Sequence, residues 1–86
     1  MYEIEYAKSV LKDIRKIAPT SLIRIQKSIS QLKSNPYPIG VKKLSGNENI
    51  YRIRIGVYRV IYSVQDHKLV ILILKIAHRK DVYSKY

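Results

Sequence analysis

Arginine alternates with apolar residues in Tyr51-Arg52-Ile53-Arg54-Ile55. On a strand, both guanidinium groups therefore share one face, and Tyr51, Ile53 and Ile55 share the other. Same-face neighbours on a strand stand about 6.5–7 Å apart, close to the spacing of successive phosphates along a nucleic-acid strand. Arginine suits that chemistry, because its planar fork binds phosphate through two parallel hydrogen bonds and keeps its charge. A solvated sheet face would account for this pair alone. Arg59 weighs against that, since the short connection Gly56-Val57 returns it beside Arg52 and Arg54. Lys75, Ala77 and Arg79 share a face at the end of a later strand, and Arg79-Lys80-Asp81-Val82-Tyr83 then leaves it. The sequence predicts Arg52, Arg54, Arg59, Arg79 and Tyr83 converging on one side of a sheet. His78 is the nearby group of a type that moves protons near neutral pH. Strand parity puts it on the face opposite Arg79, so it reads as structural.

Other chemistries find little support. Glu3 and Glu5 share a strand face and read as charge balance rather than as an acid–base pair. Neither His67 nor His78 has a Ser or Asp in a triad arrangement, and Gly40, Gly46 and Gly56 are separate turn glycines rather than a phosphate loop. The absence of cysteine excludes disulfides and thiolate metal sites, and two histidines eleven positions apart offer no zinc spacing. No metal and no cofactor is expected. The charge balance is decisive in another direction: 17 Lys and Arg against 6 Asp and Glu give +11. Such a surface repels itself and calls for a polyanionic partner. Eight tyrosines, with no Phe or Trp, suit either a core or base stacking.

The elements that must carry these residues follow from periodicity. Tyr2, Ile4 and Tyr6 alternate with Glu3 and Glu5, as on a half-buried strand. From Ala7 the period becomes helical: Ala7, Leu11, Ile14 and Ala18 form one stripe, while Lys8, Lys12, Arg15 and Lys16 form the opposite, basic one. Pro19 ends this helix and opens a second, whose stripe is Leu22, Ile25, Ile29 and Leu32. Asn35-Pro36-Tyr37-Pro38 stops it. A turn over residues 45–49 leads to strands over 50–55, 58–65 and 69–77, the last apolar on both faces. The fold class is α+β, in the order β-α-α-β-β-β: an antiparallel sheet with a two-helix hairpin packed on one face. With no linker or repeat in 86 residues, a single domain over 1–86 is expected. The longest apolar run, Leu69 to Leu74, is too short to span a membrane, and the N-terminus lacks signal-peptide features, so a cytoplasmic protein with no membrane role is expected.

An ordered set of segments resembles the RelE family of toxin–antitoxin toxins. These are Lys43-Leu44-Ser45-Gly46, Tyr51-Arg52-Ile53-Arg54, Tyr58-Arg59-Val60-Ile61-Tyr62 and Ile76-Ala77-His78-Arg79-Lys80-Asp81-Val82-Tyr83. The resemblance covers nearly the whole chain and implies a ribosome-dependent endoribonuclease that cuts mRNA in the ribosomal A site. It also implies an acidic antitoxin partner in a heteromeric complex. By position, Arg52 and Arg54 match two basic active-site residues, Arg59 the arginine on the scissile phosphate, Arg79 the arginine near the leaving group, and Tyr83 the tyrosine on the substrate base. The best-studied form of the family has lysines where Arg52 and Arg54 stand. A crowded lysine can lose its proton and act as a base, whereas arginine cannot, so electrostatic stabilisation is the role expected of this pair.

The chemistry compatible with this inventory is in-line attack by the RNA's own 2′-hydroxyl, leaving a 2′,3′-cyclic phosphate and a 5′-hydroxyl. The protein then has to align the backbone and neutralise the phosphorane. Lys8, Lys12, Arg15, Lys16, Lys42, Lys43 and Lys75 are the expected contacts to ribosomal RNA or message. Two rival readings remain: a gyrase-inhibiting toxin of the ParE branch, which generally lacks the arginine–tyrosine set, and an RNA-binding module without chemistry.

Overall fold

Five strands and two helices form over the residues that the computed structural model describes, 1–44 and 49–82. In chain order they are β1 (Glu3–Tyr6), α1 (Lys8–Arg15), α2 (Pro19–Gln31), β2 (Lys42–Lys43), β3 (Ile50–Ile55), β4 (Tyr58–Gln65) and β5 (Val70–His78). They build one sheet in the order β1-β5-β4-β3-β2. The β3, β4 and β5 hairpins and the β2–β3 pair are antiparallel, as expected. The β1–β5 pair is parallel, so the sheet is mixed rather than wholly antiparallel. Residue periodicity locates a strand but does not fix the direction of a partner 60 residues away. The two-residue β2 is likewise below what alternation can detect. Glu3 and Glu5 lie exposed on the edge strand β1, where charge discourages pairing with another chain.

The helical hairpin covers one face of the sheet. Pro19 starts α2 at a position where its missing N–H costs no bond. Ile25, Ile29 and Leu32 are buried against Ile53, Val60, Tyr62, Ile71 and Ile73, as the α2 stripe predicts. The α1 stripe is rotated from expectation. Val10 and Ile17 are buried with Ile14 half-buried, while Leu11 is 58% exposed and Ala18 is exposed. The helix is only two turns long and ends before Ala18, so packing against β5 sets which face turns inward.

The other face of the sheet carries a second, smaller core. Leu44, Ile61 and Val82 are buried there, with Ile50, Leu74 and Ala77 packed against them. Val82 reaches it through a turn in which the Asp81 N–H donates to the His78 carbonyl at 2.8 Å. After β5 the chain thus folds back onto the sheet instead of departing from it. The expected turn at 45–49 falls largely on residues outside the described ones.

A register shift reconciles the two cores. Ile61 pairs with Lys75 but Tyr62 pairs with Ile73, leaving Leu74 as an extra residue in β5. Across this bulge the parity switches, so Ile71, Ile73 and Ile76 all face the helices. The Ile76 N–H beside the bulge donates to Asp13 Oδ2 from α1 at 3.0 Å.

Candidate nucleic-acid interface

The cationic face is assembled from cross-strand rows. Lys42, Arg52, Ile61 and Lys75 lie in one row across β2, β3, β4 and β5. Arg54, Arg59 and Ala77 lie in the next. Arg79 follows Ala77 by two residues, and its N–H donates to the Val57 carbonyl at 2.8 Å, which continues the β5 pairing onto the hairpin tip. Arg52, Arg54, Arg59 and Arg79 therefore occupy the face away from the helices, concentrated at one end of the sheet. Gly56 makes this tip possible. Its φ of +59° at the first turn position suits a tight hairpin and a residue without Cβ.

The four arginines are not equivalent. Arg54 is exposed, and it stands directly opposite Arg59. Like charges placed directly opposite each other on a sheet are destabilising. Arg59 is half-buried, and its Nη1 donates to the Gly56 carbonyl at 3.0 Å and the Tyr58 carbonyl at 2.9 Å. Those bonds anchor the guanidinium at the hairpin end. Arg52 is only 6% exposed, and its cross-strand neighbour Ile61 is buried in the second core with Leu44 and Val82. The alternation of β3 made Arg52 look as open as Arg54. Leu44 and Val82 join that core from outside β3 and β4, which strand parity alone does not reveal. Tyr83 lies outside the described residues, directly after Val82.

The remaining basic residues separate into two groups. Lys8, Lys12, Arg15 and Lys16 are exposed on α1, on the opposite side of the sheet from the arginines. Lys42 shares the arginine face, whereas Lys43 pairs with Tyr51 and belongs to the other face. Among the described residues no group of three or more His, Asp or Glu side chains is placed to hold a metal ion.

Most of the tyrosines among the described residues are architectural. Tyr51 stacks on Tyr62 with centroids 6.0 Å apart and meets Tyr37 edge-on at 5.1 Å. The Tyr62 hydroxyl donates to the Pro36 carbonyl at 2.7 Å. Tyr2 and Tyr37 both donate to Asp66 in the β4–β5 turn. Burial, aided by the Asp66 carboxylate, pushes the Tyr37 phenol up to about 12, and burial raises Tyr62 as well. Asp13 and Asp66 are structural acceptors that residue patterning alone does not single out. A lone acid within the basic helix α1 was the available signal for the first.

Comparison with known proteins agrees with this fold. The model of the family described as ParE toxin of type II toxin–antitoxin system matches residues 4–83. The chain belongs to the RelE/ParE family of toxins. RelE1 of Methanocaldococcus jannaschii is 38% identical over 86 residues, covering 96% of each chain. The mRNA interferase toxin RelE of Escherichia coli is 28% identical, covering 98% of this chain and 92% of that one. Among solved structures, the archaeal RelE–RelB complex from Pyrococcus horikoshii OT3 matches with a TM-score of 0.81 and 34% identity, over 94% of this chain and 98% of the other. The isolated E. coli RelE toxin matches with a TM-score of 0.79 and 28% identity, over 99% and 94%. This RelE/ParE toxin has no helix, among the described residues, long and apolar enough to cross a membrane.

Proposed function

We propose that the chain is a cytoplasmic, single-domain mRNA interferase, the toxin of a toxin–antitoxin pair, which cuts mRNA in the ribosomal A site. The observation that carries this reading is the convergence of Arg54, Arg59 and Arg79 at one end of the arginine face. In the proposed reaction the substrate's 2′-hydroxyl attacks the adjacent phosphorus, and the 5′-oxygen leaves with a proton. Arg59, held by its carbonyl contacts, meets the scissile phosphate, while Arg54 shares the charge that grows on the phosphorane. Arg79 sits toward the leaving oxygen, and Arg52 supports the face from beneath. Tyr83 stacks on the substrate base. None of these arginines is a base at neutral pH, so alignment of the message by the ribosome supplies much of the acceleration.

The partner is an acidic antitoxin that neutralises part of the +11 charge. Relatives solved as RelE–RelB complexes support that pairing. The exposed lysines and arginine of α1, with Lys42, Lys43 and Lys75, make the further contacts to ribosomal RNA or message.

The family model's ParE description favours a second reading, inhibition of gyrase. Primer extension on a translated message separates the two. Cleavage between A-site nucleotides is expected from the wild type. With Arg79→Ala or Arg59→Ala the single-turnover rate should fall by about 10²-fold, on the order of 3 kcal/mol of transition-state stabilisation. An intact message together with loss of gyrase supercoiling would establish the second reading instead.

A further inference from the structure

At the end of β5 one imidazole organises the turn that delivers Arg79. The His78 Nδ1 accepts a hydrogen bond from the Lys80 N–H at 3.2 Å. The His78 carbonyl accepts from the Asp81 N–H at 2.8 Å, and the Arg79 N–H donates to Val57 at 2.8 Å. Arg79 and Lys80 are thus the two central residues of a turn held on both sides. The imidazole itself faces the helix layer, edge-on to Tyr58 with centroids 6.2 Å apart. It lines a cavity of about 340 Å³ together with Asp13 and Lys16 of α1, Lys75 of β5, and Asp81.

We propose that His78 is a positioning residue, which holds Arg79 on the arginine face through its Nδ1 acceptor and releases it when the ring is protonated. The proposal rests on the ribonuclease reading for its catalytic consequence, but the holding contact stands on geometry alone. An imidazole that accepts at Nδ1 carries its proton on Nε2, and a second proton turns Nδ1 into a donor facing the Lys80 N–H. Two donors then confront each other and the bond is lost. The charged groups that line the cavity on the ring's side carry both signs: Lys16 and Asp13 from α1, and Asp81 from the turn. Tyr58 presents an uncharged ring. The turn keeps its two backbone bonds when His78 is protonated, so Arg79 loosens without unfolding of the strand.

The test uses the purified full chain, with amide exchange and single-turnover cleavage on ribosomes both followed from about pH 5.5 to 8.5, the range where imidazoles change charge. In the wild type the Lys80 amide should be protected at the alkaline end and lose about tenfold of that protection at the acid end, with cleavage falling in parallel. His78→Asn places an oxygen where Nδ1 stood and cannot titrate, so it should keep both protection and rate across the range. His78→Ala should lose about tenfold in both at every pH, with ribosome affinity unchanged. Amides of Val60 and Ile73 report whether each variant remains folded; should His78→Ala unfold, the Asn variant decides. An Asn variant that retains the acid loss, or an Ala variant with wild-type Lys80 protection, overturns the proposal. A wild type that leaves ribosome-bound message intact removes the ribonuclease reading, and Lys80 protection still decides the holding role.

Discussion

Arg54 and Arg59 face each other across β3 and β4 on a protein already carrying an excess of positive charge. A pair of this kind opposes folding by up to about 1 kcal/mol, and a β-branched residue at an exposed strand position generally favours the sheet. On the proposed reading, function and stability therefore pull Arg54 in opposite directions. Arg54→Thr is expected to raise the melting temperature by about 2–6 °C, since roughly 1 kcal/mol shifts a domain of this size by 4–8 °C. The same substitution should lower single-turnover cleavage by about 10²-fold through loss of phosphorane stabilisation. Calorimetry and primer extension on one preparation measure both. A variant that loses activity without gaining stability would show that the pair is not strained in the free protein. Arg52 behaves differently because it is buried; truncating it uncovers the second core and should destabilise the fold.

The elements show why some of this architecture is written locally and some is not. The limits of β3 and β4 follow from alternation, from Gly56 and from the turn residues after Gln65, all of which act within a few positions. The α2 stripe is equally plain because the helix is long and strongly patterned. By contrast, the inward face of α1, the parallel pairing of β1 with β5 and the burial of Arg52 depend on contacts made across the chain. The bulge at Leu74 belongs to the second group. Periodicity correctly set Lys75, Ala77 and Arg79 on one face, but only the fold shows that an extra residue puts them there while Ile71 and Ile73 remain in the core. Asp13 secures this irregularity by accepting the Ile76 N–H at 3.0 Å. A carboxylate accepting from a backbone donor contributes roughly 1.5–3 kcal/mol, and its removal leaves the donor without that partner. Asp13→Ala is accordingly expected to cost about 2 kcal/mol in denaturant unfolding. Asp13→Asn should cost about half as much, because the amide oxygen still accepts. Equal losses from the two would mean that the charge, not the acceptor, matters.

At the scale of the whole molecule, the tyrosine cluster and the charge excess make predictions of opposite kinds. Tyr2 from the N-terminus, Tyr37 from the connection after α2, Tyr62 from β4 and Asp66 from the next turn join four distant parts of the chain. The Tyr37 phenol, raised to about 12 by burial and by Asp66, stays protonated in the fold where an unfolded tyrosine near 10 has ionised. Its contribution is complete below about pH 10 and is lost as pH rises from about 10 to 12. Alkaline unfolding should begin in that window, and Tyr37→Phe should make the decline shallower; an unchanged slope would exclude the phenol as its source. Salt acts on the other property. With 17 basic and 6 acidic residues, the free toxin is dominated by self-repulsion, and shortening the Debye length from about 14 to about 4 Å relieves it. Raising NaCl from about 50 to 500 mM should therefore increase the melting temperature of the isolated chain. Binding to the ribosome should weaken steeply over the same range, because each neutralised phosphate releases counterions. Replacing Lys12 on α1 should flatten that salt dependence while leaving the saturated cleavage rate unchanged, since it lies across the sheet from Arg54, Arg59 and Arg79. A saturated rate that falls with Lys12→Ala would place α1 at the reacting phosphate and contradict the separation of the two cationic faces.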